Sequence, residues 1–345
     1  MRIFTSLVFF LSVLVMVGCA DRNSPVTPHR EAELVLVGEV QTPGLASDLF
    51  VYGDSLFVAD DIVGVTIWDI SNIRNPGLVY TFETSSRAKH LCWAPLNRIL
   101  LTIETSWIAG YQFKPDTIQM MFDAQEMGAT AIRVYEMSID TIVVGFTDPT
   151  EGHRVYRTHP SDDSLDAGFW VKSGAVLKSI LGAHRGFYMD VDDSTEYLAN
   201  GQLGLQIARL KVRNGYELSL IGSIDTYGEA CDVTLNGDKT HAIVADFAGG
   251  IQIFNVTDKT NPRWVGSLIP DKVADAEKVF AVGDTVYFTD KYDGLFAADI
   301  RDPQNPVLIG RFAVPAPTGL YVRQDHTIIL TDEDRGILIF VWSNP

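Results

Sequence analysis

The sequence predicts an all-β protein built from similar units arranged radially. A nineteen-residue pattern occurs at 58–76, 244–262 and 288–306, each time with Asp third, Gly seventh and Pro last. Apolar residues make up 46% of the chain, and Val, Ile, Phe and Tyr, which favour strands, are plentiful. Long helical periodicity is missing, so we expect short strands joined by tight turns.

The seventh-place Gly of this pattern marks a repeat along the chain. Aligning weaker copies extends the column to residues 64, 108, 152, 204, 250, 294 and 336. The units are therefore 42 to 52 residues long, which is the length range of propeller blades. Parallel solenoids usually have shorter coils, so blades of four antiparallel strands are preferred.

The first unit illustrates how each element is assigned. Strands are predicted at 48–52, 56–59, 65–70 and 78–82, separated by Gly, Asn and Pro. In the second turn, Asp60 can accept hydrogen bonds from its own backbone, and the Gly can adopt a positive φ.

The last unit offers strands only at 320–323, 327–330 and 337–342, and residues 33–40 resemble the missing outer strand. Pairing both termini in one blade would close the ring and remove exposed edges. The prediction is a seven-bladed β-propeller, with six blades as the alternative.

The phrases GVTIWDISN, GIQIFNVTD and GLFAADIRDP resemble the LVIVD repeat, a bacterial and archaeal family of units that form propellers on exported proteins. The resemblance covers most of 33–342 and is clear in units one, five and six. It implies a propeller fold and a location outside the cytoplasm. It implies no catalytic residues.

The N-terminus resembles a bacterial lipoprotein leader. Residues 1–18 hold one Arg and an apolar run that is too short for a membrane span. The ending Met-Val-Gly-Cys resembles a lipobox, which implies cleavage after residue 18 and lipidation of Cys19. Residues 19–32 then form the lipidated Cys and a flexible tether, and 33–345 form the propeller. The expected location is the cell envelope, at the outer membrane or cell surface.

The net charge bears on the class of ligand, and the positions of the cysteines bear on whether a disulfide forms. The formal net charge is −17, which argues against nucleic-acid binding because that requires clustered Lys and Arg. Cys92 and Cys231 fall in different units, so we expect two buried thiols rather than a disulfide.

Two sets of polar residues are expected on one face of the propeller. The turn residues would form a carboxylate-rich ring at Asp60, Glu104, Asp148, Asn200, Asp246, Asp290 and Asp332. Residues entering the innermost strands would lie nearer the channel at Asp48, His90, Asp232 and Lys278, with Arg185 less securely aligned. The two sets could bind a cation such as calcium or a basic ligand. The alternative, which we favour, is that each turn carboxylate caps its own hairpin.

No motif for catalysis is found in the sequence. HExxH, Gly-x-Ser-x-Gly and P-loop patterns are missing, and His153 and His159 fall in a loop. The leading hypothesis is a monomeric, lipid-anchored binding scaffold for an envelope or extracellular protein or a glycan. The alternatives are an enzyme with a metal or acid–base site at the channel mouth, and a structural envelope lipoprotein. The segment 168–186 could protrude and carry binding.

Overall fold

The computed structural model describes residues 32–96, 98–105, 107–114, 117–125, 129–138, 141–148, 152–158, 186–190, 194–211, 217–270 and 275–343. Throughout these ranges the regular structure is β-strand, which confirms the all-β prediction. None of the described segments forms a helix long and apolar enough to cross a bilayer. The predicted leader, Cys19, nearly all of the tether, Arg185, His159 and most of 168–186 lie outside the described residues. The prediction of a loop at His153 is wrong, because this residue lies in a strand.

The strands are short and follow one another regularly. The first nine are β1 (Leu34–Val40), β2 (Asp48–Tyr52), β3 (Ser55–Ala59), β4 (Val65–Asp69), β5 (Gly77–Phe82), β6 (Ala88–Ala94), β7 (Ile99–Glu104), β8 (Trp107–Lys114) and β9 (Thr117–Gln125). The next seven are β10 (Ala131–Ser138), β11 (Thr141–Asp148), β12 (Gly152–Thr158), β13 (Gly186–Asp190), β14 (Thr195–Ala199), β15 (Leu205–Lys211) and β16 (Glu217–Ile224). The remainder are β17 (Asp232–Leu235), β18 (His241–Ala245), β19 (Ile251–Asn255), β20 (Arg263–Leu268), β21 (Ala276–Val282), β22 (Thr285–Asp290), β23 (Gly294–Asp299), β24 (Val307–Phe312), β25 (Pro317–Val322), β26 (Ile328–Asp332) and β27 (Gly336–Trp342).

These strands form seven antiparallel sheets in the described part of the chain, six with four strands and one with three. Five of the four-stranded sheets contain consecutive strands, from β2–β5 through β21–β24, and the three-stranded sheet is β10–β12. The first strand of each sheet contacts the first strand of the next, and β25 contacts β2, so the sheets follow one another in a cyclic order.

The seventh sheet joins the two ends of the described chain. Its order is β1-β27-β26-β25, with Leu34 opposite Trp342 and Val40 opposite Ile337. The backbone N–H of Ser343 donates to the Glu33 carbonyl oxygen at 2.8 Å, which extends the pairing by one residue. Residues 34–40 therefore supply the outer strand that the sequence of the last unit lacks.

The hydrophobic core lies between the sheets. Each of six clusters contains buried side chains from two sheets that are neighbours in the cyclic order. Middle strands are covered on both faces, as in β14, where all five residues are buried. The outer strand β5 is exposed over five of its six residues. Such packing explains why middle strands are nearly continuous apolar runs.

The turn between the second and third strands has the predicted backbone. Five glycines of the repeat column have φ between 64° and 102°, the left-handed region that favours glycine. These are Gly64, Gly204, Gly250, Gly294 and Gly336. Cys92 and Cys231 are buried free thiols, as the sequence predicted.

Candidate functional site

The six turn residues whose side chains are described are all buried, and four of them accept hydrogen bonds from backbone N–H groups. Asp332 Oδ1 accepts hydrogen bonds from the N–H groups of Asp334 and Arg335 at 3.0 and 2.8 Å, within its own turn. Its Oδ2 accepts a third bond at 2.9 Å from Ala316, in the loop that enters the same sheet. The carboxylate thus holds two separate loops together.

Asp290 makes the same set of contacts in the preceding sheet. Its Oδ1 accepts from Tyr292 and Asp293, both at 2.9 Å, and its Oδ2 accepts from the N–H of Asp275 at 2.6 Å. A backbone amide that would otherwise be buried without a partner is costly, so a charged acceptor at this place stabilises the fold.

The other described turn residues follow the same plan with variations. Glu104 accepts from Ser86 N–H at 2.8 Å and from Tyr111 hydroxyl at 2.7 Å, and Asp246 accepts from Gly228 N–H at 2.6 Å. Burial raises the pKa of Asp246 despite the opposing hydrogen bonds of Thr226 and Gly228, and burial likewise raises the pKa of Asp60. Asn200 donates to Gln206 at 2.8 Å. The side chain of Asp148 lies outside the described residues.

The residues predicted nearer the channel surround one cavity. This central cavity has a volume of about 430 Å³ and is lined by residues from the first strands of all seven sheets. Near the opening of the cavity, each of the seven sheets contributes one first-strand residue that lies opposite the residue immediately before the turn residue of that sheet. We call these seven residues the mouth ring. They are Asp48, His90, Ala131, Gly186, Asp232, Lys278 and Gly319. Four of the seven are the predicted residues.

Asp48 connects the first two sheets. Its Oδ1 accepts from its neighbour Leu49 N–H at 2.9 Å, while its Oδ2 lies 3.3 Å from His90 Nδ1 and accepts from Leu91 N–H at 3.4 Å. Burial alone would raise the pKa of Asp48, but the hydrogen bond and charge of His90, with the charges of Lys278 and Arg133, together hold that pKa below its ordinary value.

Asp232 occupies the same position between the fifth and sixth sheets. Its Oδ1 accepts from Val233 N–H at 3.0 Å and its Oδ2 from Val279 N–H at 3.2 Å. Burial raises the pKa of Asp232, and the charges of Lys278 and Arg133 oppose this shift only in part. The two carboxylates of the mouth ring therefore both bind backbone amides of the next first strand.

A second layer of side chains lies two residues further along the first strands, where the side chains point to the same face. It comprises Phe50, Cys92, Arg133, Tyr188, Thr234, Phe280 and Tyr321, all of which line the cavity. The rings of Phe280 and Tyr321 meet edge to face at 5.2 Å. Burial raises the pKa of the Cys92 thiol, which argues against a reactive thiolate there.

Arg133 is the functional candidate that sequence reasoning missed. It lies in β10, in a unit whose repeat pattern is faint, and its guanidinium Nη1 donates to the Ile132 carbonyl oxygen at 2.9 Å. The sequence signal for Arg133 is its spacing, because every second-layer residue follows a mouth-ring residue by two positions. Assigning Ala131 to the mouth ring would therefore have identified Arg133.

Outside the mouth ring a wider funnel of about 700 Å³ opens to solvent. His90 and Lys278 line both spaces, and Lys291 and Tyr292 stand at the funnel, with Lys291 Nζ 5.6 Å from the Tyr292 ring centre. The loops on this side form the loop face. It exposes large apolar side chains at Leu45 (50%), Ile62 (71%), Tyr227 (83%) and Tyr292 (67%).

Among the described residues, no group of three or more His, Cys, Asp or Glu side chains is placed to hold a metal ion. Asp290 and Asp332 each join two loops of their own sheet, and the mouth-ring carboxylates bind amides on separate strands. The contacts of Asp290 and Asp332 are those that the capping alternative expects.

Comparison with known proteins identifies the repeat. Three segments, 43–84, 227–269 and 274–314, match the LVIVD repeat. Each match covers one four-stranded sheet, namely β2–β5, β17–β20 and β21–β24. The chain therefore carries LVIVD repeats, and in this protein one repeat corresponds to one sheet. No curated protein matches the chain.

Solved structures establish the fold class. The chain is similar to the structure of U3-55K, with a TM-score of 0.64 and 10% identity, covering 89% of this chain and 98% of that one. It is also similar to the β-propeller domain of Myceliophteria thermophila Cps50 (Swd1), with a TM-score of 0.68 and 12% identity, covering 89% and 99%. At this identity the likeness shows a β-propeller fold and nothing about ligands.

Proposed function

We propose that this protein is a lipid-anchored, extracytoplasmic binding scaffold built on a closed seven-bladed propeller. The blade count is supported by the seven sheets in the described residues and by the cyclic contacts of their first strands. Closure is supported by the pairing of β1 with β27, which leaves the last sheet with four strands. A rigid closed ring suits a protein that presents loops to a partner.

The anchor part of the proposal comes from the N-terminal sequence. Residues 1–18 are the proposed leader, Cys19 the lipidated residue and 19–32 the tether that separates the propeller from the membrane. The LVIVD repeats support this location, because the resemblance implies exported proteins. The proposed site of action is the cell envelope, at the outer membrane or the cell surface.

The observation that carries the binding role is the composition of the loop face. Leu45, Ile62, Tyr227 and Tyr292 are exposed on loops of this face. The buried carboxylates of Asp60, Asp246 and Asp290 lie in or beside the same loops, and Asp246 and Asp290 bond directly to backbone amides in them. Exposed aromatic groups on a preorganised surface are typical of protein interfaces. A protein partner is therefore favoured over a glycan.

Site-specific photo-cross-linking in the producing cell tests this role. A benzophenone amino acid replaces Tyr227 or Tyr292 on the loop face, and Tyr52, which is 53% exposed at the opposite end of β2, is the matched control. We expect a discrete cross-linked species from positions 227 and 292 and none from 52. Equal labelling from all three positions, or none from the loop face, would contradict the proposal.

A further inference from the structure

The central cavity differs in charge from the rest of the molecule. The chain carries a net charge of −17, yet of the acidic and basic side chains that line this cavity three are basic and two are carboxylates: His90, Arg133 and Lys278, against Asp48 and Asp232. A basic majority in an acidic protein is a local arrangement that its overall composition does not explain.

The two acids are already engaged. Each accepts hydrogen bonds from two backbone N–H groups, Asp48 from Leu49 and Leu91, and Asp232 from Val233 and Val279. The bonds from Leu91 and Val279 join neighbouring first strands, so they are needed by the fold whatever the cavity binds. Each carboxylate therefore uses at least two of its about four lone-pair sites on backbone donors.

Lys278 retains capacity for a ligand. The charges of Lys278 and Arg133 both lower the pKa of Asp48 and of Asp232, and both basic side chains line the same cavity. No hydrogen bond from the Lys278 ammonium falls among the described residues. Three N–H donors on a half-buried Lys that faces a cavity can bind an anion.

The shape of the cavity defines the rest of the ligand. Three mouth-ring positions are small, at Ala131, Gly186 and Gly319, which leaves space beside the charged ones. Beneath them, the second layer presents Phe50, Tyr188, Phe280 and Tyr321. A volume of about 430 Å³ is within the range of small-molecule sites, which combine apolar walls with a few polar groups.

We propose that the central cavity binds a small organic carboxylate with an aromatic body, whose carboxylate is held by Lys278 and Arg133 and whose ring packs in the second layer against Phe280 and Tyr321. The site is distinct from the loop face and requires neither the anchor nor a protein partner. Its failure would leave the scaffold role unaffected.

Isothermal titration calorimetry on the purified full chain tests this site with three probes that share one body. The probes are phenylacetate, neutral 2-phenylacetamide and cationic 2-phenylethylammonium. We expect phenylacetate to bind at least about tenfold more tightly than the amide, because the amide loses the charge-assisted bonds, and we expect no binding of the ammonium. Equal affinity for phenylacetate and the amide, preference for the ammonium, or no phenylacetate binding up to about 10 mM would overturn the proposal.

Variants locate the site. Lys278→Gln and Arg133→Gln should each weaken phenylacetate binding about tenfold or more, and Phe280→Leu should weaken both phenylacetate and the amide. The matched control is Lys114→Gln, which removes the same charge from an exposed position at the end of β8 and should leave binding unchanged. Unchanged affinity in Lys278→Gln would place the binding elsewhere and overturn the assignment. The wild-type probe series remains decisive if a variant does not fold.

Discussion

The Oδ1 atom of Asp232 occupies the space beside Gly186, so that a Cβ atom at residue 186 would lie 2.3 Å from it. The same Cβ would come within 2.8 Å of the Asp232 Cα and the Cys231 carbonyl oxygen. Strands β13 and β17 therefore approach closely because residue 186 has no side chain. This approach also positions the carboxylate that binds Val279.

We expect Gly186→Ala to lower the free energy of unfolding by about 2 to 3 kcal/mol, because the backbone of β17 cannot move aside without losing its pairing. Chemical denaturation measures the change. Gly77→Ala is the control, since a Cβ there would meet no atom within 4 Å, and it should change stability by less than about 0.5 kcal/mol. Equal effects of the two substitutions would contradict the close approach.

Asp332→Ala should cost about 3 kcal/mol, because three backbone N–H groups lose a charged acceptor in a buried place. Glu333→Ala removes the same charge from the adjacent exposed residue and should cost less than about 0.5 kcal/mol. Urea denaturation of both variants checks the comparison. A small loss in Asp332→Ala would mean that water replaces the carboxylate and that the turn residue is free for another role.

Stability should depend on pH through Asp48. Because its pKa is lowered in the fold, ionised Asp48 stabilises the protein above the ordinary value of 3.8, and this contribution is lost as pH falls through the lower folded pKa. The stability difference between wild type and Asp48→Asn should therefore narrow as pH falls below 3.8.

The pH dependence of stability should have the opposite sign for Asp246→Asn, because burial raises the pKa of Asp246. Its ionised form is disfavoured in the fold, so wild type should lose stability relative to this variant as pH rises through the folded pKa. Thermal unfolding at a series of pH values measures the stability difference between wild type and each of the two variants. Parallel pH profiles for the two variants would refute the assignment of opposite shifts.

Removal of residues 1–40 should lower the melting temperature by about 10 °C or more, because β27 would lose its partner strand and expose its edge. Removal of only residues 1–31 leaves β1 intact and should cause little change. Calorimetry compares the two truncated chains. A similar melting temperature in both would show that β1 is dispensable for closure.

Thiol counting tests the proposed lipidation. The chain contains three cysteines, and a diacylglycerol attached through the sulfur of Cys19 would block one of them. Denatured mature protein should then react with two equivalents of Ellman's reagent, and unprocessed precursor with three. Under native conditions Cys92 and Cys231 should react slowly because both are buried. Three reactive thiols in the membrane-bound protein would exclude a lipid on Cys19.

Much of the fold could be predicted because the repeat keeps the same residue types at the positions that the turns and the core require. Four residues are predicted to enter the innermost strands near the channel, and the structure places all four at one cavity: Asp48, His90, Asp232 and Lys278. The prediction succeeds in units one, two, five and six because side chains alternate with a period of two along a strand and the pairing admits few registers.

The rest could not be predicted for two physical reasons. In the third and fourth units the resemblance to the repeat is faint outside the turn, so the innermost-strand positions Ala131, Gly186 and Arg133 could not be aligned, and the structure places Gly186 opposite Ala199 in the mouth ring. The second reason is that the bond from Ala316 to Asp332 joins residues 16 apart in the chain. A local turn motif predicts capping of its own hairpin and gives no sign of such a contact.

The pairing of β1 with β27 also constrains how the protein acquires its structure. Glu33 and Ser343, which hydrogen-bond to each other, are 310 residues apart in sequence. During synthesis β1 emerges long before β27, so its edge stays unpaired until nearly the whole described chain has been made. Loop-closure entropy grows slowly with length, but contacts this distant form late. Completion of the cyclic arrangement is therefore expected to be the final folding step, when β1 pairs with β27.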